Sequence, residues 1–148
     1  MLNLSRNIFF YNRIYLPDKF ETRLYLMFMH FSIIMIIYKK KGKKFNQNDY
    51  DSFFNNIEYN LRETGFGDVT VNKKMKDFNK ILYDILLKIE NSNEKKFSIN
   101  KKLIVKYFDI FEKNNQKYKD FEEYFINFFN FCFELPLDSM IEEAIKFK

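Results

Sequence analysis

The chain contains few of the residues that interrupt helices or build chemical sites. Its 148 residues include three glycines, two prolines, one cysteine, one histidine and no tryptophan. A single cysteine, Cys132, excludes an internal disulfide and any zinc site built from several cysteines. A single histidine, His30, leaves little material for a nucleophile and base pair, and no spacing indicates a metal site. We therefore expect no enzymatic activity and no cofactor.

The composition is rich in aromatic residues and lysine, with 20 Phe, 10 Tyr and a formal net charge of +5. Phe, Tyr and Lys share A/T-rich codons, so we give this bias little functional weight. The positive charge favours attraction to anionic surfaces such as lipid headgroups or ribosomal RNA. Because arginine is scarce, we expect no sequence-specific contact with DNA.

Apolar residues recur at helical spacing along most of the chain. This pattern predicts an all-α, single-domain irregular bundle of about six helices. We expect residues 1–19 to be a loosely ordered N-terminal arm and residues 20–148 to form the helical domain. Residues 24–38 are apolar on every face, but as a helix they span only about 22 Å, short of a hydrocarbon core of about 30 Å. They predict the central helix of a bundle, with a membrane-dipping helix as the alternative.

The other predicted helices follow from apolar stripes and capping residues. Their ranges are 46–64, 72–90, 98–113 and 117–133, with a short last helix capped by Asp138 and a polar loop at 91–96. Asn46 or Asn48 would cap the first of these helices, and Ser98 would cap the third. Cys132 reads as a small buried hydrophobe. His30 lies among apolar neighbours and predicts a neutral core histidine with one or two hydrogen bonds, or else a partner contact.

Two of the three glycines lie in one short run, LRETGFGDVTVNKKMK at residues 61–76. A helical pattern runs into Gly65, and glycine suits a helix C-terminus because it adopts positive φ without a Cβ clash. The spacing of Gly65 and Gly67 does not match a dinucleotide-binding fingerprint. Lysines 73, 74 and 76 would open the following helix against its dipole, which leaves a contact with a partner open beside the alternative of a solvated face.

This run resembles the signature of the ubiquinol–cytochrome c chaperone family. The residues that carry the resemblance are Phe54, Glu58, Leu61, Arg62, Glu63, Gly65, Phe66, Gly67, Asp68, Val71, Lys73, Lys74, Met75 and Lys76. The chain departs from the common pattern at Thr64, Phe66 and Asn72, where Met, Val and Pro are usual. The resemblance covers about residues 20–90 and includes an apolar helix with a histidine, which His30 matches.

The resemblance implies a non-enzymatic assembly chaperone for the cytochrome bc complex that binds newly made cytochrome b. It also implies a small partner subunit and contact with the ribosome near its exit tunnel, as for mitochondrial relatives. We expect a cytoplasmic protein at the inner membrane surface, or on the matrix side if the source is eukaryotic. The alternatives are a lysine-rich helical RNA- or ribosome-binding module without a cytochrome client, and a protein anchored in the membrane by residues 24–38.

We predict a client- or partner-binding surface at the glycine run and the adjoining helix face. Its residues are His30, Phe54, Glu58, Arg62, Gly65, Phe66, Gly67, Asp68, Lys73, Lys74 and Lys76. Arg62 and Asp68 would fix the corner or pair with the client, and Phe66 would offer an apolar anchor. The three lysines would hold acidic or phosphate groups, and His30 would lie beneath or beside the surface.

Overall fold

The computed structural model describes residues 1–90, 97–112 and 115–148. Within these ranges the chain forms seven α-helices, a π-helical turn at Phe9–Arg13 and a 3-10 turn at Asp109–Phe111, with no β-strand. The helices are α1 (Leu2–Ser5), α2 (Phe20–Lys40), α3 (Gln47–Glu63), α4 (Asp68–Glu90), α5 (Lys101–Tyr107), α6 (Asn115–Glu134) and α7 (Met140–Ala144). The predicted all-α bundle is confirmed, with α1 as an additional short helix.

Helix α2 is the centre of the bundle. It buries side chains on every face and packs against α1, α4 and α6. Among the described residues it is the one helix long and apolar enough to cross a membrane, with a hydropathy of 1.4 and 67% of its most apolar window buried. A helix that is apolar all round and covered by its neighbours is the expected core of a bundle.

The directions of α3 and α6 relative to α2 follow from side-chain contacts. The hydroxyl of Tyr38 donates to the Leu137 carbonyl at 2.9 Å, just beyond the C-terminal end of α6. Together with a contact between His30 and Tyr124 in the middle of both helices, this shows that α2 and α6 run parallel. The ring of Phe45, just before α3, packs on Tyr38, whereas Phe54 in α3 packs on Phe28. Helix α3 is therefore antiparallel to α2, and its end lies toward the beginning of α2.

The N-terminal segment, which was predicted as a loosely ordered arm, packs against the core. Leu4, Phe10, Ile14 and Leu16 are buried. Phe10 packs edge-on against the ring of Tyr124 at 4.7 Å between centroids. The segment was difficult to predict because Asn and Arg separate its apolar residues. Part of it also forms a π-helical turn, whose spacing differs from the regular helical period.

Several helix ends differ from the predicted ones. Helix α4 begins at Asp68 rather than at residue 72, and α5 ends at Tyr107 because Phe108 leaves the helical region with φ −136° and ψ 83°. Asn46 caps α3 as predicted, its side chain accepting the Asn48 N–H, whereas α5 is capped by Asn100 rather than by Ser98. Helix α7 begins at Met140, so Ser139 rather than the predicted Asp138 occupies its N-cap position. The predicted loop at 91–96 lies outside the described residues.

Candidate partner-binding corner

The glycine corner, which we define as residues 64–67, turns the chain from α3 into α4. Gly65 has φ +88°, and its N–H donates to the Arg62 carbonyl at 3.0 Å. The Thr64 hydroxyl donates to the Leu61 carbonyl at 2.7 Å, which satisfies another acceptor at the end of α3. Positive φ is open to glycine without a Cβ clash, so Gly65 stops α3 as the sequence predicted.

Arg62 ties the two sides of the corner together. Its Nη2 lies 2.7 Å from Glu58 Oε1, one turn earlier in α3, and its Nη1 donates to Asp68 Oδ1 in the first turn of α4. Hydrogen bonds to Glu58 and then to Asp68 raise the pKa of the Arg62 guanidinium. The carboxylate of Asp68 also suits the positive end of the α4 dipole. The structure thus pairs Arg62 and Asp68 with each other.

Phe66 projects from the tip of the corner. Its side chain is 42% exposed, and the Nζ of Lys74 lies 5.0 Å from the ring centroid. A cation at this distance over an aromatic face is attracted by the ring quadrupole. Val69 extends the exposed apolar surface onto the first turn of α4. The corner therefore presents an aromatic anchor held by a neighbouring lysine.

The three predicted lysines do not open α4, so that part of the prediction is wrong. Because α4 begins at Asp68, Lys73 and Lys76 lie in its second and third turns, beyond the reach of the dipole at its first turn. Gly67 accepts the Val71 N–H with its carbonyl at 3.0 Å and starts the helix without a proline. Lys73 and Lys76 are exposed, and Lys74 is half-buried beneath Phe66.

His30 lies away from the corner, contrary to its predicted place beneath or beside it. It is fully buried and packs against the α6 rings of Phe125 and Phe128, with centroids 4.8 and 4.7 Å apart. Its Nδ1–H donates to the Leu26 carbonyl at 2.7 Å, and its Nε2 accepts from the Tyr124 hydroxyl at 3.1 Å. Burial lowers the pKa of His30 to about 3. It is the neutral, hydrogen-bonded core histidine that its apolar neighbours predicted.

Phe54 is also part of the core. It is buried, and its ring stacks on Phe28 of α2 with 6.0 Å between centroids. Of the predicted site residues, the structure therefore gathers Glu58, Arg62, Asp68 and the residues of the glycine corner at one place. It leaves His30 and Phe54 inside the bundle.

An open cleft of about 530 Å³ between α2 and α3 was not predicted. Its floor includes Phe31 of α2 and Phe53 and Ile57 of α3, and its rim is polar. The sequence carries a signal for that rim, because Asp49, Ser52, Asn56 and Asn60 recur at helical spacing along one side of α3; these residues line the cleft.

The described residues also include a thiol and side chains of the types that bind metal ions. Among the described residues, no group of three or more His, Cys, Asp or Glu side chains could hold a metal ion. Cys132 is buried, as predicted, and burial raises the pKa of its thiol to about 12. Such a thiol stays protonated at neutral pH and is a poor nucleophile.

Comparison with known families identifies the chain. The profile of the family described as Ubiquinol-cytochrome C chaperone matches residues 12–103. The match covers well over half of the chain and contains α2, α3, the glycine corner and α4. Searches among curated proteins and among solved structures gave no match. The chain belongs to the ubiquinol–cytochrome c chaperone family.

Proposed function

We propose that this chain is a non-enzymatic chaperone that binds newly made cytochrome b during assembly of ubiquinol–cytochrome c reductase. The observation that carries the proposal is the family match, which spans the glycine corner. The family supports a chaperone role in cytochrome bc assembly. The client and the contacts with the ribosome and with a small partner subunit are our extension of that role.

The glycine corner is the surface that we assign to the client or its partner. Phe66 supplies an exposed ring of the kind that anchors protein interfaces. The contacts of Arg62 with Glu58 and Asp68 hold the backbone on both sides of that ring, so little conformational freedom is lost when a partner binds. Exposed apolar side chains that are bordered by charged residues are typical of surfaces that bind another protein.

We further propose that the protein works at the inner membrane surface, on the cytoplasmic or matrix side. The association of the family with cytochrome bc complex assembly at the inner membrane supports this proposal. Lys40, Lys43 and Lys44, near the C-terminal end of α2, are exposed and can be attracted to anionic headgroups. Because α2 is buried in the bundle, this contact would be peripheral.

Deletion of the gene tests the proposal. We expect selective loss of cytochrome b and of the bc complex on haem-stained gels and in reduced-minus-oxidised spectra of membranes, with other respiratory complexes intact. Unchanged cytochrome b would contradict the proposal and would direct attention to RNA and ribosome binding, where steep salt dependence is expected.

Complementation with Phe66→Asp tests the corner. Because the ring is exposed, the variant should keep its helical circular dichroism and yet fail to restore cytochrome b. Ile8→Asp is the matched control, since it places the same charge on an exposed apolar residue far along the chain from the corner. Full restoration by Phe66→Asp would remove this ring from the mechanism.

A further inference from the structure

The outward face of α4 carries a line of residues that are exposed in the described part of the structure. One of them, Tyr83, also interacts through its hydroxyl with Tyr50 of α3. The residues of the line are separated alternately by four and three positions. Around the helix axis, each therefore lies within about 40° of the direction of the first one. We name this line the α4 ridge; it consists of Val69, Lys73, Lys76, Lys80, Tyr83 and Leu87. It is about 27 Å long, the length of a five-turn helix.

The ridge combines apolar ends with a cationic middle. Val69, Tyr83 and Leu87 are exposed by 85%, 51% and 55% respectively. Lys73 and Lys76 are also exposed. Lys80 is exposed as well, and its Nζ lies 3.5 Å from the Asp77 carboxylate, a loose pair at the surface. Tyr83 and Leu87 lie one turn apart and form an exposed apolar pair, and exposed apolar groups that lie together mark interaction sites.

We propose that the α4 ridge binds one α-helix of a partner protein, with acidic residues opposite the three lysines and apolar residues opposite the two ends. This inference deepens the proposed function and rests on it, because the ridge starts beside the glycine corner and includes Lys73 and Lys76, which the sequence predicted as part of the partner-binding surface. Alternating spacing of four and three is the seam of helix pairs that pack side by side. Charges on such a seam select the partner by complementarity.

A second copy of the chain does not fit this ridge. In an antiparallel pair that superposes the two ridges, Lys76 would face Lys80 and Lys73 would lie opposite Tyr83, and in a parallel pair each lysine would face its own copy. Both arrangements bring cations of the two copies together, and like charges at close range destabilise an interface. The occupant must therefore carry the opposite charge.

A lipid surface also fits the ridge less well than a helix does. The apolar residues lie at the two ends, whereas helices that lie in a membrane interface carry a continuous apolar stripe. Asp77 projects about 80° to one side of the ridge, where a flat anionic surface would meet it. A helix about 10 Å wide would cover the ridge and leave that carboxylate in solvent.

A designed peptide tests the chemistry directly. The probe is a labelled 21-residue helix, about the length of the ridge, with Glu at the three central seam positions and Leu at the outer ones. A second peptide has Lys at the central positions. Fluorescence anisotropy with the full chain, at about 0.15 M salt to screen distant charges, should show binding of the acidic peptide and none of the basic one.

Charge reversal on the ridge is the matched perturbation. The triple variant K73E/K76E/K80E should bind the acidic peptide at least about tenfold more weakly and should gain affinity for the basic one. The control K19E/K102E/K119E makes the same change in net charge at exposed lysines outside α4 and should change binding by less than about twofold.

Several results would overturn the inference. Equal binding of both peptides would do so, as would equal losses in the two triple variants. Binding to phosphatidylglycerol vesicles or to poly(U) RNA that only the ridge variant loses, without peptide binding, would assign the lysines to phosphate instead. In cells, cytochrome b lost with Phe66→Asp but normal with the ridge variant would reject the ridge and keep the proposed function. Normal cytochrome b after gene deletion would reject the proposed function, and peptide binding would still decide the ridge.

Discussion

Replacing Gly65 with valine should separate the role of the glycine corner from its contribution to stability. Gly65 has φ +88°, and a Cβ built on it would meet no atom within 4 Å. The cost is therefore conformational rather than steric. Holding a non-glycine residue in this region costs about 1–3 kcal/mol, and a β-branched side chain belongs near the upper end. We expect a loss of about 2–3 kcal/mol in the free energy of unfolding.

The chain supplies an unusually close control in Gly42, which follows α2. Gly42 has φ +69°, has no atom within 4 Å of an added Cβ, and donates its N–H to the Lys39 carbonyl at 3.0 Å. Gly65 makes the same bond to the residue three positions earlier, also at 3.0 Å. Gly42→Val should therefore lose about as much stability, although it lies toward the opposite end of α2.

Urea unfolding followed by circular dichroism measures the loss of free energy of unfolding in both variants. In thermal unfolding the melting temperature of each variant should fall by roughly 4–12 °C. Both variants should stay folded, because domains of this size are commonly stable by about 5–15 kcal/mol. Cytochrome b should be lost with Gly65→Val and retained with Gly42→Val.

Three outcomes would refute parts of this reasoning. An equal loss of cytochrome b in both variants would mean that lowered stability, rather than the corner, causes the defect. Normal cytochrome b with Gly65→Val would take the corner out of the mechanism. An unchanged free energy of unfolding in Gly65→Val would show that the positive φ of that residue is not required.

The remaining predictions concern stability and follow from polar groups. His30 takes up a proton near pH 6.5 in the unfolded chain but only near pH 3 in the folded chain, so protonation of His30 favours unfolding as the pH falls below 6.5. Between pH 7 and pH 5 the free energy of unfolding of the unaltered chain, measured in urea, should therefore fall by about 2 kcal/mol more than that of His30→Gln. Within the described residues the buried Ser32 hydroxyl has no hydrogen-bond partner, so Ser32→Ala should raise the free energy of unfolding by about 1 kcal/mol, and a decrease would contradict this. Arg62→Ala removes surface pairs with Glu58 and Asp68, and should lower the free energy of unfolding slightly at low salt and by less at high salt; a loss independent of salt would indicate packing instead.

Patterns within one helix were predictable because they depend on neighbouring residues in the chain. The all-round apolar character of 24–38 predicted its burial, and Asn46 predicted the start of α3 to within a residue. The neutral state of His30 followed from apolar neighbours on its own helix. Gly65 predicted the end of α3, since few other residues accept positive φ.

Relations between helices were not predictable in the same way. A helix that is apolar on every face does not indicate which neighbour covers which side, so the contact of His30 with α6 could not be derived. The burial of Phe10 depends on α2 and α6, which are distant in sequence. The start of α4 was placed four residues late because Asn72 was expected to begin it, whereas Asp68 is already the first residue of the helix.

The corner leads directly into α4, which carries the ridge, and this has a consequence for how their variants combine. Val69 belongs to the ridge and follows Asp68, which Arg62 holds at the corner. From Asp68 to Lys73 the helix rises only about 7.5 Å. A partner helix on the ridge would therefore end beside Phe66, and the two surfaces could engage one partner together. If so, the double variant that joins Phe66→Asp to K73E/K76E/K80E should lose little more cytochrome b than either parent, because both interrupt the same complex. Additive losses from the two parents would instead indicate two separate partners.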